Sequence, residues 1–324
     1  MNHSFAWRRA VQALAWLAGS LSLSVGAGHA QNVPFEIGST GQAAAPAQSG
    51  PVPAAVPAGA VGGMGDVNIY PKRLVIDGRN RLATLGLYNR STAPGDYDIT
   101  LSDKMMTPAG TLTDLADVTD PQQRANVHSA AQLLRWSPHR VMLQGSEAQT
   151  VRVMVRVPPD LPPGEYRSHF AIISVPPEIG GLSIDDAAGA ERSPDGIGVR
   201  IVPRFGISIP VIVRVGETTL AVGIRDLAVV ADTASRKIRL TLTRDGTRSA
   251  FGDIAIYPAG SKTPIAEVRG IGIYTEVTER RADVAIDPKA DPRLYARGAR
   301  LVAVYTDDDV APGKALARQE FVVP

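Results

Sequence analysis

The chain has 324 residues, 44 % of them apolar, and a formal net charge of +2. That is enough chain for two domains of ordinary size. The charges are balanced and no basic stripe is interleaved with aromatics, which excludes nucleic acid as a partner. With no cysteine, disulfides are excluded and apolar cores must stabilise the fold.

The first thirty residues carry an export signal: Arg8 and Arg9, an apolar core broken by Ser and Gly, and a small-x-small site at Gly28-His29-Ala30. Cleavage after Ala30 leaves a mature chain from Gln31 whose charge falls to zero, in the compartment beyond the inner membrane. No later apolar run is long enough to cross a bilayer, so no membrane insertion of the mature chain is expected. Residues 31–65 are rich in Ala, Gly, Pro and Gln without periodicity and read as a disordered arm.

From Asp66 the pattern is β throughout. IYPKRLVIDG (69–78) reads as a strand ending at an Asp-Gly turn, LGLYNRS (85–91) closes a second, and DYDITLSDKMM (96–106) is a third. Residues 111–136 are more polar and read as a short helix or a long loop. WSPHRVMLQGSEAQTVRVMV (136–155) holds two strands around Gln144-Gly145, and LPPGEYRSHFAIISVPPE (161–178) another, closed by two prolines. After a Gly- and Asp-rich loop comes the longest run, Val199 to Val215. Its odd positions are all apolar, and several even ones are polar or small. A period of two means a strand with one buried face. Pro203 and Pro210 cannot donate to a ladder, so the run reads as an edge strand. A long apolar edge invites pairing with another chain.

Beyond Gly216-Glu217 the strands begin again in seven segments from Thr218 to Pro324, with Asp245-Gly246 as a hairpin signal. Strands never alternate with helices, so the fold class is all-β: two β-sandwich domains in tandem, at 66–216 and 217–324.

No catalytic constellation emerges, and no metal site or cofactor is expected. Of five histidines, His3 and His29 leave with the signal. His128, His139 and His169 match no ligand spacing. Asp307-Asp308-Asp309 has the carboxylates to hold a hard cation but reads first as a solvated hairpin turn before the last strand. Asn89-Arg90-Ser91 is a formal glycosylation triplet. Arg73 stands out beside Lys72. Neighbours on a strand point to opposite faces, so only one of the two can face a cleft. There Arg73 could take a carboxylate in bidentate fashion, or it is a plain surface arginine.

Taken in order over 66–215, these segments resemble the periplasmic pilus-assembly chaperones of the chaperone–usher pathway, as a divergent member. The resemblance rests on the first-strand arginine with its Asp-Gly turn, the Asn ending the second strand, the Pro-Leu-Gly segment before a Val-Arg strand, and the di-proline. It implies two immunoglobulin-like domains and a donor strand that completes an unfinished pilin subunit. The donor side chains would be Val199, Ile201, Phe205 and Ile207. It also implies that Arg73, with a lysine on the donor strand, anchors the subunit's C-terminal carboxylate. The lysine position falls on or near Ser208, so Lys72, Arg200 and Arg204 are the nearby cations. Implied partners are pilin-like subunits and an outer-membrane usher, with a self-capping dimer as one way to cover the free edge. An exported structural or adhesive surface protein is the alternative. The arm at 31–65 departs from the family, and the second half matches only in being strand-rich.

Overall fold

The computed structural model describes residues 61–62, 66–77, 80–176, 204–231 and 236–324. The segment read as an export signal, most of the stretch read as an arm, and Val199, Arg200, Ile201 and Pro203 lie outside these. All described residues belong to one compact unit, Pro51–Pro324.

The first half contains β1 (Val61–Gly62), β2 (Val67–Tyr70), β3 (Leu74–Ile76), β4 (Leu82–Asn89), β5 (Gly95–Ser102), β6 (Lys104–Met106), β7 (Leu112–Asp114), β8 (Leu134–Ser137), β9 (Arg140–Leu143), β10 (Ala148–Val155), β11 (Gly164–Val175) and β12 (Gly206–Val215). Two five-stranded sheets face each other, ordered β1-β2-β4-β10-β8 and β3-β12-β11-β5-β9. Alternate residues fill the space between them: Ile69, Leu85, Leu87, Ile99, Val151, Val153, Phe170, Ile172 and Ile209 are all essentially inaccessible. That alternation is the physical reason these segments are strands, since each has one face to bury. Trp136 of one sheet donates its indole N–H to the Ile99 carbonyl of the other at 3.1 Å and stacks edge-on to Phe170.

The second half contains β13 (Leu220–Ala231), β14 (Arg236–Gly246), β15 (Ala250–Pro258), β16 (Ala266–Ile273), β17 (Glu279–Ala285), β18 (Arg300–Asp307) and β19 (Ala315–Val322). They form a second sandwich of β13-β14-β17 against β16-β15-β18-β19.

Several expectations change. Val61–Gly62, placed in the arm, pairs with Asn68–Ile69. Asp245-Gly246 is not a hairpin: β14 and β15 lie in different sheets, so this turn carries the chain across the sandwich. The polar stretch after β5 opens with the β6–β7 hairpin and continues into 3₁₀ turns and one short helix, Pro121–Ala125, capped by Asp120 on the Gln122 amide at 2.8 Å. Asn89 is not a glycosylation site. It is fully buried, and its amide donates to the carbonyls of Ala93, Leu143 and Gln144.

Candidate functional site

The strand read as an edge is an edge for only half its length. β11 pairs antiparallel with all of β12, from Gly206 to Val215. β3 pairs parallel on the other side, but only at Val211–Val213. Among the described residues, no strand pairs with that side of Gly206–Pro210. Its N–H and C=O groups there form an open ladder. Phe205, at the mouth of this segment, is 41 % exposed, and the odd-position periodicity continues inward from it.

That inward continuation corrects one expected contact. Ile207 is only 8 % exposed and packs in the first sandwich's own core with Ile209, Val211 and Val213. It shares the parity of these core residues, so its side chain is already committed. The even positions behave differently along the strand. Gly206 and Ser208 are exposed, whereas Ile212 is fully buried in the core of the second sandwich. The wet face is therefore confined to the open half.

The second sandwich covers the rest through a seam of buried polar groups. Glu165, Arg167 and His169 alternate on β11 and face it together. Arg167 makes a two-point ion pair with Glu276 at 2.7 and 3.0 Å, donates to the Lys104 carbonyl at 3.0 Å, and lies 3.6 Å over the Tyr274 ring. Glu276 also accepts the Met106 amide at 2.7 Å. Arg214 bridges Glu165, at 3.2 Å, and Asp309. Ser249 donates its amide and hydroxyl to Glu165. Burial would lower the basicity of Arg214, but the carboxylates of Asp309 and Glu165 outweigh it and raise its pKa. His169 lies 3.3 Å from the Tyr274 hydroxyl, and burial, reinforced by the charges of Arg167 and Lys104, lowers its pKa to about 3. It is a neutral structural histidine.

Lys72 and Arg73 sit at the end of this seam, in the bend between β2 and β3 rather than on a strand. The strict alternation that would send them to opposite faces is broken there, and both reach Asp308. Arg73 pairs with it at 2.6 Å and stacks 4.5 Å over the Phe251 ring. Burial pushes the Asp308 carboxyl up, but the hydrogen bonds and charges of Arg73 and Lys72 prevail and hold it below the usual carboxylate value. The two cations line a cavity of about 280 Å³ with Pro210, Phe251, Tyr274 and Arg280. The β12 residue facing this cavity is thus Pro210, which is uncharged, and not Ser208. Arg204 does not join the cluster. It is exposed, lies 3.4 Å from the Ser174 carbonyl, and is six residues, about 20 Å, up the strand from Pro210.

The acidic triplet is neither a solvated turn nor a cation site. Asp307 accepts the amides of Asp309 and Ala311, Asp308 takes Lys72 and Arg73, and Asp309 takes Arg214. Among the described residues no group of three His, Asp, Glu or Cys could hold a metal ion, and no helix is long and apolar enough to cross a membrane.

No protein-family model and no curated protein sequence matches the chain. By fold it is similar, at low identity, to many solved chaperones of fimbriae and pili. The YadV chaperone is 14 % identical at a TM-score of 0.40, over 79 % of this chain and 100 % of that one. The CupB2 chaperone of Pseudomonas aeruginosa is 12 % identical at 0.39, over 78 % and 97 %. The SafB chaperone of Salmonella enterica, solved in complex with the SafA pilin, is 13 % identical at 0.38, over 81 % and 99 %.

Proposed function

We propose that this protein is a periplasmic, non-catalytic chaperone that holds subunits of a surface fibre by strand donation and passes them to an outer-membrane usher. The observation that carries this reading is the one-sided half of β12. Gly206–Pro210 has a backbone ladder satisfied on the β11 side and open on the other, directly downstream of an apolar alternation. A subunit lacking a strand would complete its sheet there, with main-chain hydrogen bonds giving affinity and alternate side chains giving specificity. The donated side chains are Val199, Ile201 and Phe205. Ile207 is the first that the chaperone keeps for itself. Arg73 and Lys72 serve as the carboxylate anchor, with Lys72 taking the place of a donor-strand lysine. A second copy pairing at the same edge would cap the free protein.

The test is recovery of small β-rich subunits with the tagged protein from periplasm, compared with Phe205→Asp. Loss of recovery with an unchanged melting temperature supports strand donation. Normal recovery by the folded variant overturns it.

A further inference from the structure

The β6–β7 hairpin belongs to the first sandwich by chain order and to the second by packing. Its strands pair only with each other and join no sheet of either sandwich. Its root is held at β11, where the Ser168 hydroxyl donates to the Asp103 carboxylate. The Leu115 amide closes the base on the Asp103 carbonyl at 2.8 Å, and Lys104 pairs with Asp114 across it at 2.6 Å. Met106, only 4 % exposed, lies in the core of the second sandwich and not in that of the first. A side chain committed to the far core ties the hairpin there, because withdrawing it would expose apolar surface to water.

The backbone is fastened as well. The Met106 amide donates to Glu276 at 2.7 Å, and the Pro108 carbonyl accepts the Arg281 amide at 2.8 Å. Glu276 is also the partner of Arg167, so the seam and the hairpin share one carboxylate. At the tip, Gly110 has φ +83°, and a Cβ there would come within 2.5 Å of Arg280 Nε on β17. Arg280 donates to the Gly272 carbonyl and has no carboxylate partner among the described residues. Its guanidinium rests instead against the bare Gly110 backbone.

Two domains joined by one connection move relative to each other by default. The direct connection here is the short run from Gly216, at φ +66°, to the start of β13 at Leu220. We propose that the β6–β7 hairpin is a brace: a second tie that locks the second sandwich at one angle to the first. Met106 is its plug, Gly110 its point of closest approach, and the Glu276 and Arg281 hydrogen bonds are its fastenings. A surface spanning both sandwiches is thereby preformed, and a partner binding across them drives no hinge closure. This holds whether or not the chaperone reading does.

The absence of cysteine allows spin labels to be placed in pairs. Met142, exposed on the first sandwich, and Leu294, exposed on the second, become Met142→Cys and Leu294→Cys. Pulsed electron-paramagnetic-resonance distances across this pair in the mature protein are expected to form one narrow distribution. In a brace-shortened form, residues 105–113 are replaced by Asn-Gly, a two-residue turn that closes Lys104 on Asp114. The distribution is then expected to broaden, and the single thermal transition to split into two. Met106→Ala and Gly110→Ala keep the chain length and should broaden it less. A second pair within the second sandwich, Leu294→Cys with Val310→Cys, reports whether that sandwich keeps its fold, and only folded variants count. A parent distribution as broad as that of the shortened form overturns the brace, as does a folded shortened form as narrow as the parent. Should the shortened form fail to fold, the point variants decide: narrow distributions in both folded proteins overturn the proposal, and broadening in either supports it.

Discussion

The two halves of β12 carry the same alternation in two different settings. In Val211–Val215 the strand is paired on both sides at Val211–Val213, and its outward residues Ile212 and Arg214 are buried by the second sandwich. In Gly206–Pro210 the inward residues Ile207 and Ile209 are equally buried, yet the outward face is wet and one edge is open. Periodicity therefore reports the inward face alone. Whether the other face and the edges are covered depends on elements remote in sequence, here β3 and the second sandwich. A strand can be structural at one end and available at the other without any change of pattern.

The closed half depends on the seam that holds the second sandwich against it, so the largest effect is expected there. Arg167 and Glu276 expose only 3 % and 2 % of their side chains. Glu276→Ala leaves the Arg167 charge buried and unpaired and is expected to cost about 3–5 kcal/mol, read from the denaturant midpoint. A loss below about 1 kcal/mol would mean that the seam does not carry the closed half. Next comes Ile212→Ala, which removes a fully buried side chain from the second core and is expected to cost about 2–4 kcal/mol. Were Ile212 as tolerant as an exposed position, the contrast between the halves would collapse.

The strands were legible because each has a face to bury, and the alternation from Leu85 to Val215 says so directly. The seam was less so. Glu165, Arg167 and His169 stand at alternate positions in an otherwise apolar strand, a signal of a second, polar buried face that reads equally as a solvated one. The same ambiguity hid Asp308 and Asp309: a run of carboxylates says nothing about which cations fold against it. Lys72 and Arg73 drew notice as a pair, but their convergence on Asp308 depends on a bend that strand alternation does not foresee. Arg280 had no local signal at all. Its lack of a counter-ion is a property of the assembled junction.

His169 gives a pH test of that seam. Its unfolded form takes up a proton near pH 6.5, whereas the folded form resists until about pH 3. Between these values the unfolded state binds more protons, so stability falls as pH falls through that window and is unaffected by this group above it. Between pH 6.5 and 4.5 the loss from His169 is expected to be about 2–3 kcal/mol. His169→Leu should flatten the profile over that range, where most carboxylates have yet to titrate. An unchanged slope would mean that the Arg167 and Lys104 side of the seam admits water.

The smallest expected change in stability is at Phe205, and there the contrast between the halves is most useful. Phe205 and Ile207 share one parity, two residues apart. Phe205 is 41 % exposed and lies outside the packed core, so Phe205→Asp should alter folding stability by no more than about 1 kcal/mol. Ile207→Asp would place a charge within the first core and should prevent folding. If strand donation is the function, the harmless substitution is the one that abolishes subunit recovery. Stability and binding would then separate between adjacent positions of a single face. Should Phe205→Asp instead unfold the protein, Phe205 belongs to the core like Ile207, and the boundary between the structural and donated parts of the strand lies further toward Ile201.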